Sequence, residues 1–186
     1  MFMPNNIDYI LQAAIRSMEE TIIPAVDIKN PLAQEQVTTI TQLLKFMRER
    51  IPYVQQRDWL ELKIYADMTE KLWEDIVVLL PDQAESTLKV RNEVDVVLTT
   101  PTPEPGLLEK LAEKLRTTLS DLIRYSHDQE EQQRNRIESV ILLDSKRVLD
   151  LHRAWLVPTG LVADSDLVPD LERQLYMEQA QPTFTR

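Results

Sequence analysis

Glycine is nearly absent from this chain, and its scarcity limits the possible folds more than any other feature of the sequence. Only two of the 186 residues are glycine, Gly106 and Gly160. Tight β-hairpins and phosphate-binding loops depend on glycine, because it adopts positive φ and lets the backbone approach a ligand closely. Helices need no glycine in their interiors. The sequence therefore predicts an all-α protein.

Prolines and capping residues divide the chain into segments whose apolar residues recur every three or four positions, as is typical of amphipathic helices. Asn30 and Pro31 form a helix start, since asparagine caps free N–H groups and proline suits the first turn. Pro24 and Pro158 mark helix ends. We expect an antiparallel helical bundle of about six to seven helices. They should cover approximately residues 7–22, 31–50, 53–80, 84–98, 108–122, 129–156 and 166–178.

Residues 99–106 form the clearest connection between helices, with prolines at alternate positions. Such spacing favours an extended polyproline II conformation. The two and a half helices after this connection are too few to close a core alone. We therefore expect the helices on both sides of it to share one core. The prediction is a single helical bundle domain over residues 1–178, with a proline-rich connection at 99–106 and a flexible tail at 179–186.

The charge of the chain argues against nucleic acid as a partner. Its formal net charge is −10, from 31 acidic and 21 basic residues, whereas nucleic-acid binding depends on lysine and arginine neutralising phosphates. No apolar stretch approaches the roughly 18 residues of a membrane span, and residues 1–4 lack the basic region of a secretory signal. We therefore expect no nucleic acid and no membrane as partners, and a cytoplasmic location.

Familiar catalytic and metal-binding motifs are missing. The chain has no cysteine and two histidines. The residues three positions before His127 and His152 are Arg124 and Leu149, so no Glu-x-x-His pair of a di-metal bundle is present. Gly-x-Ser-x-Gly and glycine-rich loops are also missing. The sequence predicts no catalytic residues, no metal site and no cofactor, and it favours a protein that is not an enzyme.

Four aromatic or titratable side chains are candidate ligand-binding residues. Trp59 and Trp73 are fourteen residues apart, close to four helical turns, and so share a face. His152 lies one turn before Trp155, and histidine titrates near neutrality. The alternative is structural: tryptophans at helical spacing pack in cores, and His152 would lie at a core edge.

The region from residue 16 to residue 36 carries a short motif. An arginine, Arg16, precedes the acidic pair Glu19-Glu20 and a proline-containing helix end, and Ala33-x-x-Gln36 comes next. This pattern resembles the start of small uncharacterised bacterial helical proteins encoded beside aminoglycoside-phosphotransferase-like kinases and acyl-CoA dehydrogenases. The resemblance covers about the first quarter of the chain. It implies an accessory role near acyl-CoA or small-molecule metabolism, and no catalytic residues.

Three functional hypotheses are compatible with the sequence. The leading one is a non-enzymatic protein-interaction or accessory protein of cytoplasmic metabolism, which binds a protein partner or a second copy of itself as a homodimer. The alternative is a helical bundle that binds a small molecule or an acyl chain between helices, near the candidate tryptophans. The third is an enzyme that uses buried carboxylates with Mg²⁺.

Overall fold

The computed structural model describes residues 6–179, with side chains placed for residues 6–176. This part of the chain contains helices and no strand, so the predicted all-α helical bundle is confirmed. The helices are α1 (Ile7–Ser17), α2 (Pro31–Arg50), α3 (Val54–Lys71), α4 (Trp73–Leu79), α5 (Pro81–Leu98), α6 (Leu107–Ser126), α7 (Glu131–Leu156) and α8 (Leu171–Gln179).

Side-chain caps set several of these boundaries. The Asp8 N–H donates to Asn6 Oδ1 over 2.9 Å at the start of α1, and the Ala33 N–H donates to Asn30 Oδ1 over 3.1 Å at the start of α2. Each cap satisfies one of the free N–H groups of a first turn. The capped starts therefore fall where the sequence predicts them.

The helical path beyond α1 widens before it ends. Residues Met18–Ile22 form a π-helical turn, in which the Ile23 N–H donates to the Met18 carbonyl, and Ile23–Ala25 then completes the helix. The cause is Pro24, which has no N–H and whose ring crowds the carbonyl four residues earlier. Proline thus distorts the last turns here, and the helix ends just beyond it at Ala25.

Two predicted helices differ from the structure. The single helix expected over 53–80 is divided at Leu72, whose φ of −107° and ψ of 13° separate α3 from α4. The last helix begins at Leu171, after a 3-10 turn at Ser165–Leu167, and the prediction of a start near residue 166 was wrong. The reason is Pro169, which cannot continue a helix, whereas Asp170 caps the Arg173 N–H over 2.9 Å.

The chain groups into two compact units. Unit 1 comprises residues 1–54 and 155–165, of which those from residue 6 are described. Its buried side chains include Leu11, Ile15, Val37 and Thr41. The prediction of a single domain over 1–178 is not tested by this grouping and stays a prediction.

Unit 2 comprises residues 55–154 and 166–186, described as far as residue 179. α5 and α6 pack against each other there, and residues 99–106 join these two helices within the same unit. One buried cluster of unit 2 joins α3, α5 and α6 and consists of Leu62, Val94, Val97, Leu108, Leu111, Ala112 and Leu115. Further buried side chains of the unit come from α4, α7 and α8, among them Ile76, Ile137, Leu151 and Leu175. Of the tail predicted at 179–186, residues 180–186 lie outside the described part of the chain.

None of the described helices combines the length and the apolar character needed to cross a bilayer.

Candidate functional site

The helical hairpin of α1 and α2 exposes large apolar side chains in regular positions. On α1, Ile7 is 51% exposed and Ile10 is 43% exposed; on α2, Ile40, Leu43 and Met47 are 47 to 53% exposed. They recur at three- and four-residue spacing, so each helix carries them as one stripe. The stripes are completed by Ala14 and Ser17 on α1 and by Gln36 on α2. We call these eight residues the hairpin face.

The opposite flank of the hairpin is charged. Arg48 Nε on α2 donates to Asp8 Oδ1 on α1 over 2.6 Å, and Lys45 Nζ lies 2.6 Å from Glu19 Oε1. The hydrogen bond from Arg48 holds the pKa of Asp8 below its usual value. The ion pairs join the two helices along this flank, where a depression of about 450 Å³ opens.

The buried residues Leu11 and Ile15 of α1, and Val37 and Thr41 of α2, lie on each helix between its exposed stripe and its charged side chains. Because the charged flanks meet in ion pairs on one side of the hairpin, the two exposed stripes lie together on the other side. The hairpin face is therefore one continuous surface. None of its eight residues carries a charge, in a chain whose residues are 28% charged.

Exposed apolar residues of unit 2 are arranged differently. Leu142 and Leu149 on α7 are 72% and 56% exposed, and their neighbours one turn away include Glu138, Lys146 and Arg153. Within the hairpin face only Ser17 and Met47, at its ends, have such a charged neighbour, Glu20 and Arg50 respectively. Scattered single apolar residues of this kind are ordinary on protein surfaces, whereas a contiguous uncharged patch is typical of an interaction site.

Trp59, the first predicted ligand residue, is half-buried against the core of unit 2. Its indole Nε1 donates to the Leu98 carbonyl over 3.0 Å, which fixes the ring against the end of α5. The ring also lines an open depression of about 390 Å³, together with Gln56 and residues 98–101. Gln56 Oε1 is buried there and has no hydrogen-bond partner among the described residues.

Trp73, the second candidate, is half-buried in α4, and the Arg91 guanidinium of α5 stacks over its ring at 4.9 Å from the centroid. This cation–π contact occupies one face of the indole. Trp59 and Trp73 thus both contact α5, although the break at Leu72 places them on separate helices, α3 and α4.

Trp155 belongs to unit 1, whereas the other three candidates belong to unit 2. Phe46 of α2 meets its ring edge-on at 6.3 Å between centroids. Arg50 contacts it twice, through the ring at 5.8 Å and through Nε, which donates to the Trp155 carbonyl over 2.9 Å. These contacts make Trp155 part of the packing of unit 1.

His152 lies on α7 with its side chain 49% exposed, and its Nε2 is 3.1 Å from Glu61 Oε2 on α3. Burial raises the pKa of Glu61, but the hydrogen bond and charge of His152, with Arg57 and Arg116, outweigh it and hold this pKa below its ordinary value. Tyr65, one turn further along α3, has its pKa raised by burial and by the Glu61 charge. Each of the four predicted residues therefore has its own set of neighbours.

Two buried carboxylates were not singled out from the sequence. Asp144 of α7 is 2% exposed and binds Lys71 Nζ over 2.6 Å and Arg147 over 3.3 Å. Asp75 of α4 is 4% exposed and is bound by Arg136 and by Gln133 of α7. Together with Glu61 and His152, these pairs form a polar seam along α7. Buried charges paired in this way fix the register of two helices.

Residues 6–176 contain no group of three or more histidine, aspartate or glutamate side chains placed to hold a metal ion. Comparison with known proteins adds no assignment, since no protein family, curated protein or solved structure matches the chain. The function is therefore inferred from the hairpin face, the tryptophans and the polar seam.

Proposed function

We propose that this chain is a protein-interaction protein that docks through the hairpin face. The observation that carries the proposal is the continuous uncharged surface of Ile7, Ile10, Ile40, Leu43 and Met47, exposed beside a hairpin with few buried residues of its own. Covering this surface would remove apolar area from water, which is the main driving force of association.

The sequence resemblance falls on the same hairpin and supports an accessory role. Glu19 binds Lys45, and Arg16 pairs with Glu20 one turn away at 3.7 Å. Ala33 receives the cap of α2, and Gln36 lies within the hairpin face. The motif residues thus lie on the hairpin that carries the docking surface, and Gln36 lies within that surface. A protein that acts by binding has no need of the catalytic groups that the sequence lacks.

Site-specific photo-crosslinking in cells tests the proposal. A photoreactive amino acid in place of Leu43 is expected to give covalent adducts with a protein, identified by mass spectrometry. The same amino acid in place of Leu149 is the matched control, because both positions are exposed leucines on long helices, at 53% and 56%. Adducts from position 149 alone, or from neither position, would contradict docking through the hairpin face.

Small-molecule binding is a second candidate, favoured by one specific observation. Gln56 Oε1, in the wall of the depression beside Trp59, is a buried acceptor that no described residue satisfies. Native proteins seldom leave such an atom unpaired. Because Oε1 is closed to solvent, the Gln56 side chain must turn toward the depression for a ligand that stacks on the indole to donate a hydrogen bond to it.

Trp59 fluorescence tests this second function, with Trp73→Phe and Trp155→Phe removing the other indole signals. Binding of an acyl-CoA or an aromatic compound from a panel is expected to change the emission. Gln56→Leu should weaken the affinity for that compound by about tenfold or more. A flat response across the panel, or binding unaffected by Gln56→Leu, would exclude the depression as the site.

A further inference from the structure

We infer that the hairpin face is covered by a second copy of this chain, so that two hairpins form a four-helix bundle across a two-fold axis. This inference rests on the proposed docking function and names its partner. Three features of the surface favour a second copy over a different protein: its charge, its distribution of large and small side chains, and its size.

The charge of the surface favours self-association. Each copy carries a net charge of −10, so two copies repel each other at most surfaces. This repulsion opposes contact least where no charge lies at the contact, as on the hairpin face. An acidic chain that selects a basic partner would instead be expected to present acidic groups at the contact, because charge complementarity guides the choice of a different partner.

The side chains of the two helices are complementary to one another. α1 contributes the small residues Ala14 and Ser17 in its stripe, and α2 contributes the large residues Ile40, Leu43 and Met47. A two-fold axis that lies in the plane of the contact, parallel to the helices, lays α1 of each copy over α2 of the other, so that the large side chains of α2 meet the small ones of α1 twice. An isologous interface requires this self-complementarity. The three- and four-residue spacing of both stripes is also the spacing of bundle seams.

The area available sets an upper limit on the contact. α2 has 20 residues, which span about 30 Å at 1.5 Å per residue. Two packed helices are about 20 Å wide, so the whole side of the hairpin that carries the hairpin face covers at most about 600 Å². Two copies would therefore bury at most about 1,200 Å², which is the lower end of specific protein interfaces.

The mass of the full chain in solution tests this inference directly. Sedimentation equilibrium at micromolar concentrations is expected to give twice the chain mass of 21.7 kDa. Leu43→Glu should give a monomer with unchanged helical circular dichroism, because it places two like charges in the uncharged contact. Leu149→Glu, the matched control, should remain a dimer. A monomeric wild-type chain, or a dimer that survives Leu43→Glu, would overturn the inference.

A spin-label measurement keeps the test decisive if Leu43→Glu does not fold. The chain has no cysteine, so Thr39→Cys, at an exposed position of α2 beside the hairpin face, gives one label per copy. A double electron–electron resonance signal with one narrow distance is expected, since both labels lie beside the same interface. A signal like that of a magnetically isolated label would overturn the dimer.

The two proposals fail in distinguishable ways. If position 43 crosslinks only to a different protein and the pure chain is a monomer, docking through the hairpin face stands and the second copy is excluded. If position 43 gives no adduct and the chain is a monomer, both fall. Adducts between two copies of this chain, with the dimer mass, support both.

Discussion

Lys71 and Asp144 join α3 to α7 through a contact of 2.6 Å between Nζ and Oδ2, with the aspartate side chain 3% exposed and the lysine side chain 48% exposed. The carboxylate has lost its water, while the ammonium group keeps part of its own. Such a pair fixes helix register more than it adds stability, because the cost of desolvating the buried ion offsets much of the attraction.

Removal of the lysine should destabilise unit 2. In Lys71→Ala the buried Asp144 keeps only Arg147, at 3.3 Å, and we expect the free energy of unfolding to fall by about 1–2 kcal/mol. Urea denaturation measures this change in the free energy of unfolding. In a double-mutant cycle with Asp144→Asn, the second substitution should recover part of the loss, and strictly additive effects would show that the two groups do not interact.

The stability of the chain should depend on Glu61 at acid pH. The folded-state pKa of Glu61 is lowered from its ordinary value of 4.5, so its ionised form favours the folded state. That contribution is fully present above about pH 4.5 and is lost as the pH falls through the lower folded pKa. In thermal unfolding as a function of pH, Glu61→Gln is expected to be less stable than wild type at neutral pH and to approach it at acid pH. A constant difference down to about pH 2 would contradict this linkage.

In the unliganded protein, Gln56 should give a lower stability than a leucine at the same position would. Its Oε1 is buried and finds no partner in the described part of the chain, and replacement of such an acceptor removes a desolvation penalty of about 1 kcal/mol. Gln56→Leu is therefore expected to raise the melting temperature by a few degrees, measured by differential scanning calorimetry. Gln132→Leu, at an exposed position of α7, is the control and should leave the melting temperature unchanged. A lower melting temperature for Gln56→Leu would show that the amide is satisfied in solution.

Both glycines are held in the left-handed region, with φ of 76° at Gly106 and 72° at Gly160. A Cβ at either position would meet no atom within 4 Å, so the cost of alanine is in the backbone alone. Gly106→Ala and Gly160→Ala should each lower stability by about 1 kcal/mol. Amide hydrogen exchange should become faster in unit 2 for Gly106→Ala and in unit 1 for Gly160→Ala. No loss in either variant would argue against these φ values.

Added salt should not weaken the proposed dimer. Its contact contains no charged side chain, so there is little attraction for ions to screen. The dissociation constant, measured by sedimentation, is expected to stay constant or to decrease as sodium chloride rises, since salt also reduces the repulsion between acidic copies. A dimer weakened about tenfold at high salt would show that ion pairs hold the copies together.

Sequence alone was sufficient for the class of fold and for most helix boundaries. Scarce glycine, capping asparagines such as Asn30 and prolines act within one or two turns, so their effect can be read without knowing which helices pack together. Asp144 was not singled out, although its sequence context carries a signal: it falls between Ile141 and Val148 at three- and four-residue spacing, as is typical of a buried charge with a partner.

Tertiary structure decided what each apolar stripe contacts. The sequence pattern of α2 places Val37, Ile40 and Met47 on one side, yet Val37 is buried and the other two are about half exposed. When an apolar stripe is wider than one neighbouring helix can cover, packing buries one part of it and leaves the other exposed. The periodicity of the sequence cannot show which part stays exposed. The partner of each buried charge is likewise set by packing, since Lys71 and Asp144 are 73 residues apart. The sequence thus determined the helices, and their packing determined which apolar side chains stay exposed on the hairpin face.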